Sequence, residues 1–265
     1  MPTLKSIKNK KYFLLDLDGT LYKGSEIFPY TGKFLKALRA AGKKPIFLTN
    51  NSSASTAQYA SKLKKKGIDA RKSEIYTSGR ATLEYLQKKG LTYIYLLATP
   101  GATKEFLDEG FTLYKKGGKL PQAVVLTFDE TFNYDKFCIA HDLITAEVPY
   151  FATHPDNHVP LEGDILHPDI GTFIAAFRVS TGKMPKILGK PMKSMYDQIK
   201  AHLSCTSKDL IMIGDRLSTD IKGANQNGIL SVLVLSGETD KALARKSKVK
   251  ADLEAENIGK LIPYL

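Results

Sequence analysis

Three aspartates in the sequence stand where carboxylates can share a metal ion. Asp16 and Asp18 lie two positions apart, directly after the apolar run Tyr12–Leu15. Asp215 follows a second apolar run, Leu210–Ile213. Neighbouring carboxylates repel each other and raise each other's pKa unless a cation or hydrogen-bond donors compensate. Because Mg²⁺ prefers hard oxygen ligands and often meets substrate phosphate, this pattern predicts a magnesium site that serves a phosphorylated substrate.

Other polar residues follow apolar runs in the same way. Lys190 comes after one such run. Thr49 and the two asparagines behind it, Asn50 and Asn51, come after another, and Asp220 offers a fourth carboxylate. Taken singly, these residues indicate only a surface lysine, a helix cap or a turn. Together with the aspartates they supply the parts of a phosphoryl-transfer site: a nucleophile, a proton donor, groups that bind phosphate oxygens, a positive charge and metal ligands.

Alternating strands and helices must position these residues. The apolar runs predict buried strands, and the amphipathic stretches between them predict helices. Their alternation indicates right-handed βαβ units, and hence a Rossmann-like, doubly wound parallel sheet of the α/β class. Since ligands bind beyond the carboxyl ends of such strands, all four polar clusters are expected on one edge of this sheet. The predicted strands are 12–15, 45–48, 186–188, 210–213 and 231–235, and the predicted helices are 32–41, 55–66 and 196–202.

The middle of the chain has strand and helix patterns of its own. We interpret residues 83–183 as an inserted, smaller α/β domain, and residues 1–82 and 184–265 as the core domain. The stretch from His154 to Gly171 is expected to be irregular. In the inserted domain, strand and helix patterns are present at 93–97, 103–109, 123–127, 134–146 and 150–152.

Four short motifs stand in order along the chain. They are Asp16-Leu17-Asp18-Gly19-Thr20, Leu48-Thr49-Asn50, Lys190 and the segment from Gly214 to Asp220. In this order they resemble the four motifs of the haloacid dehalogenase superfamily. The phrases Thr49–Ser52, Ala152–Asp156, Gly189–Pro191 and Leu235–Thr239 are similar to the NagD or p-nitrophenylphosphatase branch, which carries an inserted type-C2 cap. The resemblance covers nearly the whole chain and implies a Mg²⁺-dependent phosphatase.

The resemblance implies a role for each aspartate of the site. Asp16 is expected to attack phosphorus and form an aspartyl-phosphate. Asp18 is expected to protonate the leaving oxygen and then to deprotonate the attacking water. Mg²⁺ is expected to be held by the Asp16 carboxylate, the Asp18 backbone carbonyl and Asp215. An aspartate at position 18 favours phosphate-ester hydrolysis over the ATPase and phosphonatase chemistries of the superfamily.

The resemblance also implies which groups bind the phosphoryl oxygens. Thr49, the Asn50 amide and Lys190 are the expected contacts. Asp220 is expected to orient Lys190 or a water on the metal. These assignments come from the matched motifs and are expectations about this chain's residues.

The inserted domain is expected to act as a cap that selects the substrate. His154, Asp156 and His158 lie in the segment expected to reach the leaving group, together with Asn51. The spacing of the two histidines could suggest zinc on a helix, but nearby prolines favour a loop and the sequence offers no evident third ligand. A substrate contact or a tie within the loop is therefore the preferred interpretation.

Composition narrows the choice of partner. The 39 Lys and Arg residues exceed the 27 Asp and Glu residues, and the resulting charge of +12 favours anions such as phosphorylated metabolites. No basic run is interleaved with aromatic residues, so no nucleic-acid groove is expected. No stretch approaches the roughly 20 apolar residues of a membrane span, so no membrane association is expected. Cys138 and Cys205 form no CxxC pair, which fits a reducing cytoplasm.

Three functions are open at this point. The first is a phosphatase acting on a small phosphate monoester, such as a nucleotide or a sugar phosphate. The second is a phosphomutase or phosphotransferase, which uses the same residues but passes the phosphoryl group to a hydroxyl other than water. The third is a regulatory protein on the same scaffold, disfavoured because every catalytic position is filled. The sequence does not decide the natural substrate, and it leaves a homodimer open.

Overall fold

The computed structural model describes residues 2–160 and 165–265, and strands alternate with helices along most of these ranges. The strands are β1 (Tyr12–Leu15), β2 (Tyr22–Lys23), β3 (Glu26–Ile27), β4 (Lys44–Thr49), β5 (Ile75–Thr77), β6 (Tyr93–Leu97), β7 (Thr112–Leu113), β8 (Ala123–Leu126), β9 (Tyr150–Ala152), β10 (His158–Pro160), β11 (Leu166–Pro168), β12 (Lys186–Ile187), β13 (Leu210–Gly214), β14 (Leu230–Val234) and β15 (Leu253–Ala255). The α-helices are α1 (Thr31–Ala40), α2 (Thr56–Lys65), α3 (Ser78–Lys88), α4 (Pro100–Asp108), α5 (Tyr134–Thr145), α6 (Ile170–Thr181), α7 (Lys193–His202), α8 (Lys222–Gln226) and α9 (Lys241–Lys246).

The chain divides into two compact units. The core unit is formed by the chain up to Thr49, by Ala60–Tyr76 and by Tyr196–Leu265. The inserted unit is formed by Asn50–Tyr59 and Thr77–Met195. Each unit is built around a sheet of its own.

The core unit contains a six-stranded sheet in the order β15-β14-β13-β1-β4-β5. β1 runs parallel to both of its neighbours, with Leu15 opposite Ile213 of β13 and opposite Phe47 of β4. Every residue of β1, β13 and β14 is buried. Strands buried on both faces must be apolar throughout, which is why these strands were predictable as continuous apolar runs.

The inserted unit contains a five-stranded sheet in the order β12-β9-β8-β6-β7. Successive side chains of β8 enter two separate apolar clusters, because side chains in a strand alternate between faces. Val124 and Leu126 pack with residues of α5 and α6, whereas Ala123 and Val125 pack with residues of α3 and α4. Helices therefore cover both faces of this parallel sheet, and the α/β class predicted from the sequence is confirmed.

The strand before Lys190 corrects one expectation. β12 pairs in parallel with β9 of the inserted sheet, with Lys186 opposite Phe151, and does not join the sheet that carries the aspartates. Leu188, just after β12, is fully buried in the same cluster as Phe151. A run of three residues cannot specify which of two parallel sheets it joins, because both offer an apolar neighbour.

The stretch from His154 to Gly171 corrects another. Residues 161–164 of this stretch lie outside the described residues. Among the described ones, β10 and β11 pair antiparallel, with Val159 opposite His167, and α6 begins at Ile170. β11 is exposed along its length, so its residues lack the apolar alternation by which a strand is recognised in a sequence.

None of the helices in the described ranges is both long enough and apolar enough to cross a membrane.

Candidate active site

A cluster of buried carboxylates lies at the carboxyl ends of β1 and β13. One side-chain oxygen each of Asp16, Asp215 and Asp220 lies within 4.8 Å of the others. All three residues are less than a tenth exposed. Adjacent parallel strands bring Asp16 and Asp215 together, and the Asp16 N–H donates to the Ile213 carbonyl at 2.9 Å. Asp220 joins them from the π-helical turn Leu217–Ile221.

Asp215 is fixed by donors from two other segments of the chain. Its Oδ2 accepts a hydrogen bond from the Glu238 N–H at 2.6 Å, and its Oδ1 accepts one from the Thr20 hydroxyl at 3.4 Å. Gly19 and Gly237 both approach so closely that a Cβ atom on either would collide with the Asp215 carboxylate. Glycine at these positions lets two loops close on one side chain.

The electrostatics of Asp215 reflect this crowding. Its pKa is raised well above the usual range, first by burial and then by the neighbouring Asp16 and Asp220 carboxylates. The Glu238 N–H and the Arg216 guanidinium act in the opposite direction. Buried carboxylates that repel each other form an all-oxygen donor set, and such a set fits Mg²⁺.

Asp18 lies beside this cluster and is partly buried. Burial raises the pKa of its carboxyl, and the Asp16 charge raises it further. The Gly24 N–H, which donates to Asp18 Oδ2 at 3.3 Å, lowers it, as do the nearby Arg216 and Lys66. A raised pKa keeps a proton on Asp18 to higher pH, so this carboxyl is able to act as a proton donor.

The loop Leu235–Thr239 connects these parts; sequence reasoning named it as part of the family resemblance but gave its residues no role in the site. Ser236 Oγ donates to the Gly19 carbonyl at 2.8 Å, and the Glu238 carboxylate pairs with Arg216 Nε at 3.0 Å. The loop therefore contacts both the segment after β1 and the segment after β13. The sequence did contain a sign that this loop belongs to the site. The pair Ser236-Gly237 directly follows the predicted strand 231–235, which ends at the same edge of the sheet.

Thr49 closes β4, the other neighbour of β1, and is buried. Since β4 and β1 are parallel, Thr49 lies at the same edge of the core sheet as Asp16. The order of the strands therefore places Thr49 at the edge of the sheet where the sequence predicts it, together with the aspartates.

In the inserted unit, Asn50 and Lys190 are hydrogen-bonded to each other. Asn50 Oδ1 accepts from the Lys190 N–H at 2.9 Å, and Asn50 Nδ2 donates to the Lys190 carbonyl at 3.1 Å. Both residues are buried. Asn51 Oδ1 accepts instead from the N–H and the hydroxyl of Ser53, an arrangement that stabilises a turn.

The three predicted cap residues have different surroundings. His154 is fully buried, with Nδ1 at 3.0 Å from the Thr153 hydroxyl and Nε2 at 3.1 Å from Asp169 Oδ1. Asp156 Oδ2 accepts from Asn50 Nδ2 at 3.1 Å. His158 lies in β10 and is exposed.

Sequence reasoning found no third metal ligand to accompany His154 and His158. In the structure, His154 lies in a group of three potential ligands, but with other partners. Asp169, at the N-terminus of α6, lies within 4.8 Å of His154 and Asp156, but His158 is not part of this group. Both ring nitrogens of His154 already have hydrogen-bond partners, and Asp169 Oδ1 also accepts from the Ile170 N–H at 2.6 Å. The arrangement is a tie between β9 and α6.

Comparison with known proteins gives two family matches. Residues 13–112 match a family described as haloacid dehalogenase-like hydrolase, and residues 187–261 match one described as HAD-hydrolase-like. The sequence is 33% identical over 241 residues to dihydroxyacetone phosphatase of Corynebacterium glutamicum, which covers 88% of this chain and 84% of that protein.

Solved structures agree with these matches. The crystal structure of 4-nitrophenylphosphatase from Thermotoga maritima superposes with a TM-score of 0.92 at 35% identity, covering 97% of this chain and 98% of that one. The glycerol phosphate phosphatase of Mycobacterium tuberculosis, solved in complex with magnesium, gives a TM-score of 0.88 at 26% identity, covering 98% of this chain and 78% of that one.

Proposed function

Since the chain belongs to the haloacid dehalogenase-like hydrolases, in their NagD and 4-nitrophenylphosphatase branch, we propose that it hydrolyses small phosphate monoesters with Mg²⁺ and an aspartyl-phosphate intermediate. The chain is a phosphoric monoester hydrolase of this family. The observation that carries the proposal is the buried group of Asp16, Asp215 and Asp220 at one edge of the core sheet.

Mg²⁺ would be held by the carboxylates of Asp16 and Asp215 and by the backbone carbonyl of Asp18. When bound, the ion would offset the repulsion between these carboxylates and an anionic phosphate. Asp220 lies against the same group, and its Oδ2 accepts from the Arg216 N–H at 3.2 Å. We infer that Asp220 supports the loop that presents Asp215.

The proposed reaction has two displacements. The Asp16 carboxylate attacks phosphorus, the bond from phosphorus to the ester oxygen breaks, and that oxygen takes the proton of Asp18. Water then attacks the phosphorus of the aspartyl-phosphate while Asp18 takes a proton from it. The bond between phosphorus and Asp16 breaks, releasing phosphate and restoring both aspartates.

Phosphate binding is assigned to Thr49, the backbone N–H of Asn50 and Lys190, which offer a hydroxyl, an N–H and a positive charge to the phosphoryl oxygens. Residues 83–183 are proposed to act as the cap that selects a small phosphorylated metabolite. The net charge of +12, with no basic run interleaved with aromatic residues, favours a small anionic partner over nucleic acid or a membrane. We place the enzyme in the cytoplasm, and the sequence is compatible with a homodimer.

The test is hydrolysis of p-nitrophenyl phosphate, followed by a panel of sugar phosphates and nucleotides. We expect activity that EDTA removes and Mg²⁺ restores. Asp16→Asn should lower kcat by at least about 10³-fold, because an amide cannot serve as the nucleophile. Asp108→Ala, on the exposed side of α4, is the control and should retain full activity.

Counting released phosphate against phosphorylated acceptor separates hydrolysis from transfer. An Asp16→Asn protein with unchanged kcat would rule out the covalent step.

A further inference from the structure

The side-chain carboxamide of Asn50 binds both backbone polar groups of Lys190. The two residues are 140 positions apart, yet the Asn50 carbonyl oxygen accepts the Lys190 N–H and the Asn50 amide nitrogen donates to the Lys190 carbonyl. A carboxamide bound to the N–H and the carbonyl of a single residue fixes the position of that residue's backbone. The starting point of the lysine side chain is thereby set.

Asp156 accepts the remaining N–H of the same carboxamide. A primary amide has two N–H groups and one oxygen, and its second N–H is donated to Asp156 Oδ2 at 3.1 Å. A carboxylate only accepts hydrogen bonds, so it can face only the nitrogen end of Asn50. With all three partners in place, the carboxamide can adopt one orientation alone.

The packing around this group leaves little room for movement. The Ser78 hydroxyl donates to the Asn50 carbonyl of the backbone. A Cβ atom at Gly189 would lie 2.9 Å from Asn50 Oδ1 and would collide with the Thr153 carbonyl. Glycine before Lys190 therefore allows the close approach on which the hydrogen bonds depend.

We propose that Asn50 and Asp156 are positioning residues for Lys190, and that Asp156 acts on the phosphoryl group through Asn50 and Lys190 without contacting the leaving group. This inference rests on the proposed role of Lys190 in binding the phosphoryl oxygens. It replaces the expectation, drawn from the sequence, that Asp156 contacts the substrate.

The first test is amide hydrogen exchange in peptides that contain Lys190. Asn50→Ala removes the acceptor of the Lys190 N–H, and exchange at this amide should become about 10-fold faster or more. Asp156→Ala should accelerate the same amide by a smaller factor. Asp108→Ala, an exposed aspartate of the inserted unit, is the matched control and should leave it unchanged.

The second test is the dependence of kcat/KM on the substrate. Misplacing Lys190 should cost on the order of 100-fold in Asn50→Ala and about 10-fold in Asp156→Ala. The loss should be equal for p-nitrophenyl phosphate and for a sugar phosphate, because both present the same phosphoryl group. The inhibition constant of inorganic phosphate, which has no leaving group, should rise in parallel.

Conservative and double variants sharpen the result. Asp156→Asn keeps an oxygen acceptor and should lose less than Asp156→Ala, whereas Asn50→Asp, which has no N–H to donate, should lose as much as Asn50→Ala. Residues acting in one chain of contacts are not additive, so adding Asp156→Ala to Asn50→Ala should cost little more.

Two results would overturn the inference. One is unchanged exchange at the Lys190 amide in Asp156→Ala. The other is a loss in Asp156→Ala that differs about 10-fold between the two substrates, which would make Asp156 a leaving-group contact. A wild-type protein that hydrolyses no phosphate ester would refute the proposed function instead, and the exchange measurement would still decide whether Asn50 and Asp156 hold Lys190.

Discussion

At the scale of single residues, Asp215 shows how a buried carboxylate is fixed by its surroundings. Its oxygens receive donors from Thr20 and Glu238, and two glycines leave the space that its carboxylate fills. Neither donor has a charge that would cancel the repulsion from Asp16, so the site retains an excess of negative charge that a divalent cation can satisfy. The geometry of the proposed metal site thus depends on residues that are not themselves proposed as ligands.

Gly237→Ala tests this dependence. The added methyl group would meet Asp215 and the Cα of Gly19, and overpacking of this kind typically costs about 1–3 kcal/mol. We expect the Mg²⁺ concentration for half-maximal activity to rise by roughly 10-fold, with a lower thermal midpoint. The control is Gly32→Ala in α1, where a Cβ atom meets nothing within 4 Å. An unaltered Mg²⁺ requirement in Gly237→Ala would contradict the account.

At the scale of elements, the structure shows how a strand end is joined to the helix that follows it. The ring of His154, two residues beyond β9, bridges Thr153 and Asp169, and Asp169 in turn caps α6. Thr153 continues the chain of hydrogen bonds to the Ser52 hydroxyl at 2.8 Å. Since polar groups without water need such partners, these contacts explain why a histidine can be fully buried here.

His154→Ala should therefore destabilise the protein without a matching change in substrate selection. It removes two hydrogen bonds and leaves a cavity, and we expect roughly 2–4 kcal/mol of lost stability in denaturant unfolding. His158→Ala, at an exposed position of β10, should stay within about 0.5 kcal/mol. If His154→Ala unfolded at the wild-type denaturant concentration but changed KM for some substrates only, His154 would be a substrate contact.

At the scale of the whole molecule, the net charge and the local charge of the site have opposite signs. The chain carries +12, which favours the approach of phosphate anions, whereas the site itself is built from carboxylates. A phosphate anion would thus be attracted by the net positive charge of the protein and repelled by the carboxylates of the site. A bound cation would offset the repulsion from the carboxylates and leave the overall attraction in place.

Stability should consequently depend on pH and Mg²⁺ together. The pKa values of Asp18 and Asp215 are raised on folding. Without a cation, the two protonated carboxyls therefore stabilise the folded protein at low pH, and this stabilisation is lost as pH rises through their folded-state pKa values. Mg²⁺ competes with these protons, so its stabilising effect should grow over the same range, reaching about 2.7 kcal/mol at 100 times its Kd.

Thermal unfolding between about pH 5 and pH 8, with saturating Mg²⁺ or with EDTA, measures this effect. Asp215→Asn should weaken the dependence in EDTA, because it removes one of the two carboxyls. A difference between Mg²⁺ and EDTA that shrank with rising pH would contradict the prediction.

The sequence by itself determined four of the six strands of the core sheet and the polar residues at their ends, whereas the two outermost strands, β5 and β15, were not predicted. β1 has the bounds predicted for it, β13 extends one residue beyond its prediction, and β4 and β14 each differ from their predictions by one residue at both ends. Continuous apolar runs indicate strands that are buried on both faces. Because β1 and β13 run parallel, the residues that follow them, Asp16 and Asp215, lie at the same edge of the sheet. Local apolar patterns and one rule of sheet architecture are therefore enough to place these two residues together.

Only the tertiary structure decided three features: the sheet that β12 joins, the hydrogen-bond partners of the buried His154, and the residue that binds the backbone of Lys190. The antiparallel pairing of β10 with β11 was also not predicted. Each depends on contacts between segments far apart in the chain, such as the carboxamide of Asn50 against the backbone of Lys190. Residue spacing reports the periodicity of one segment, and it contains no measure of the distance or hydrogen-bond geometry between two segments that folding brings together.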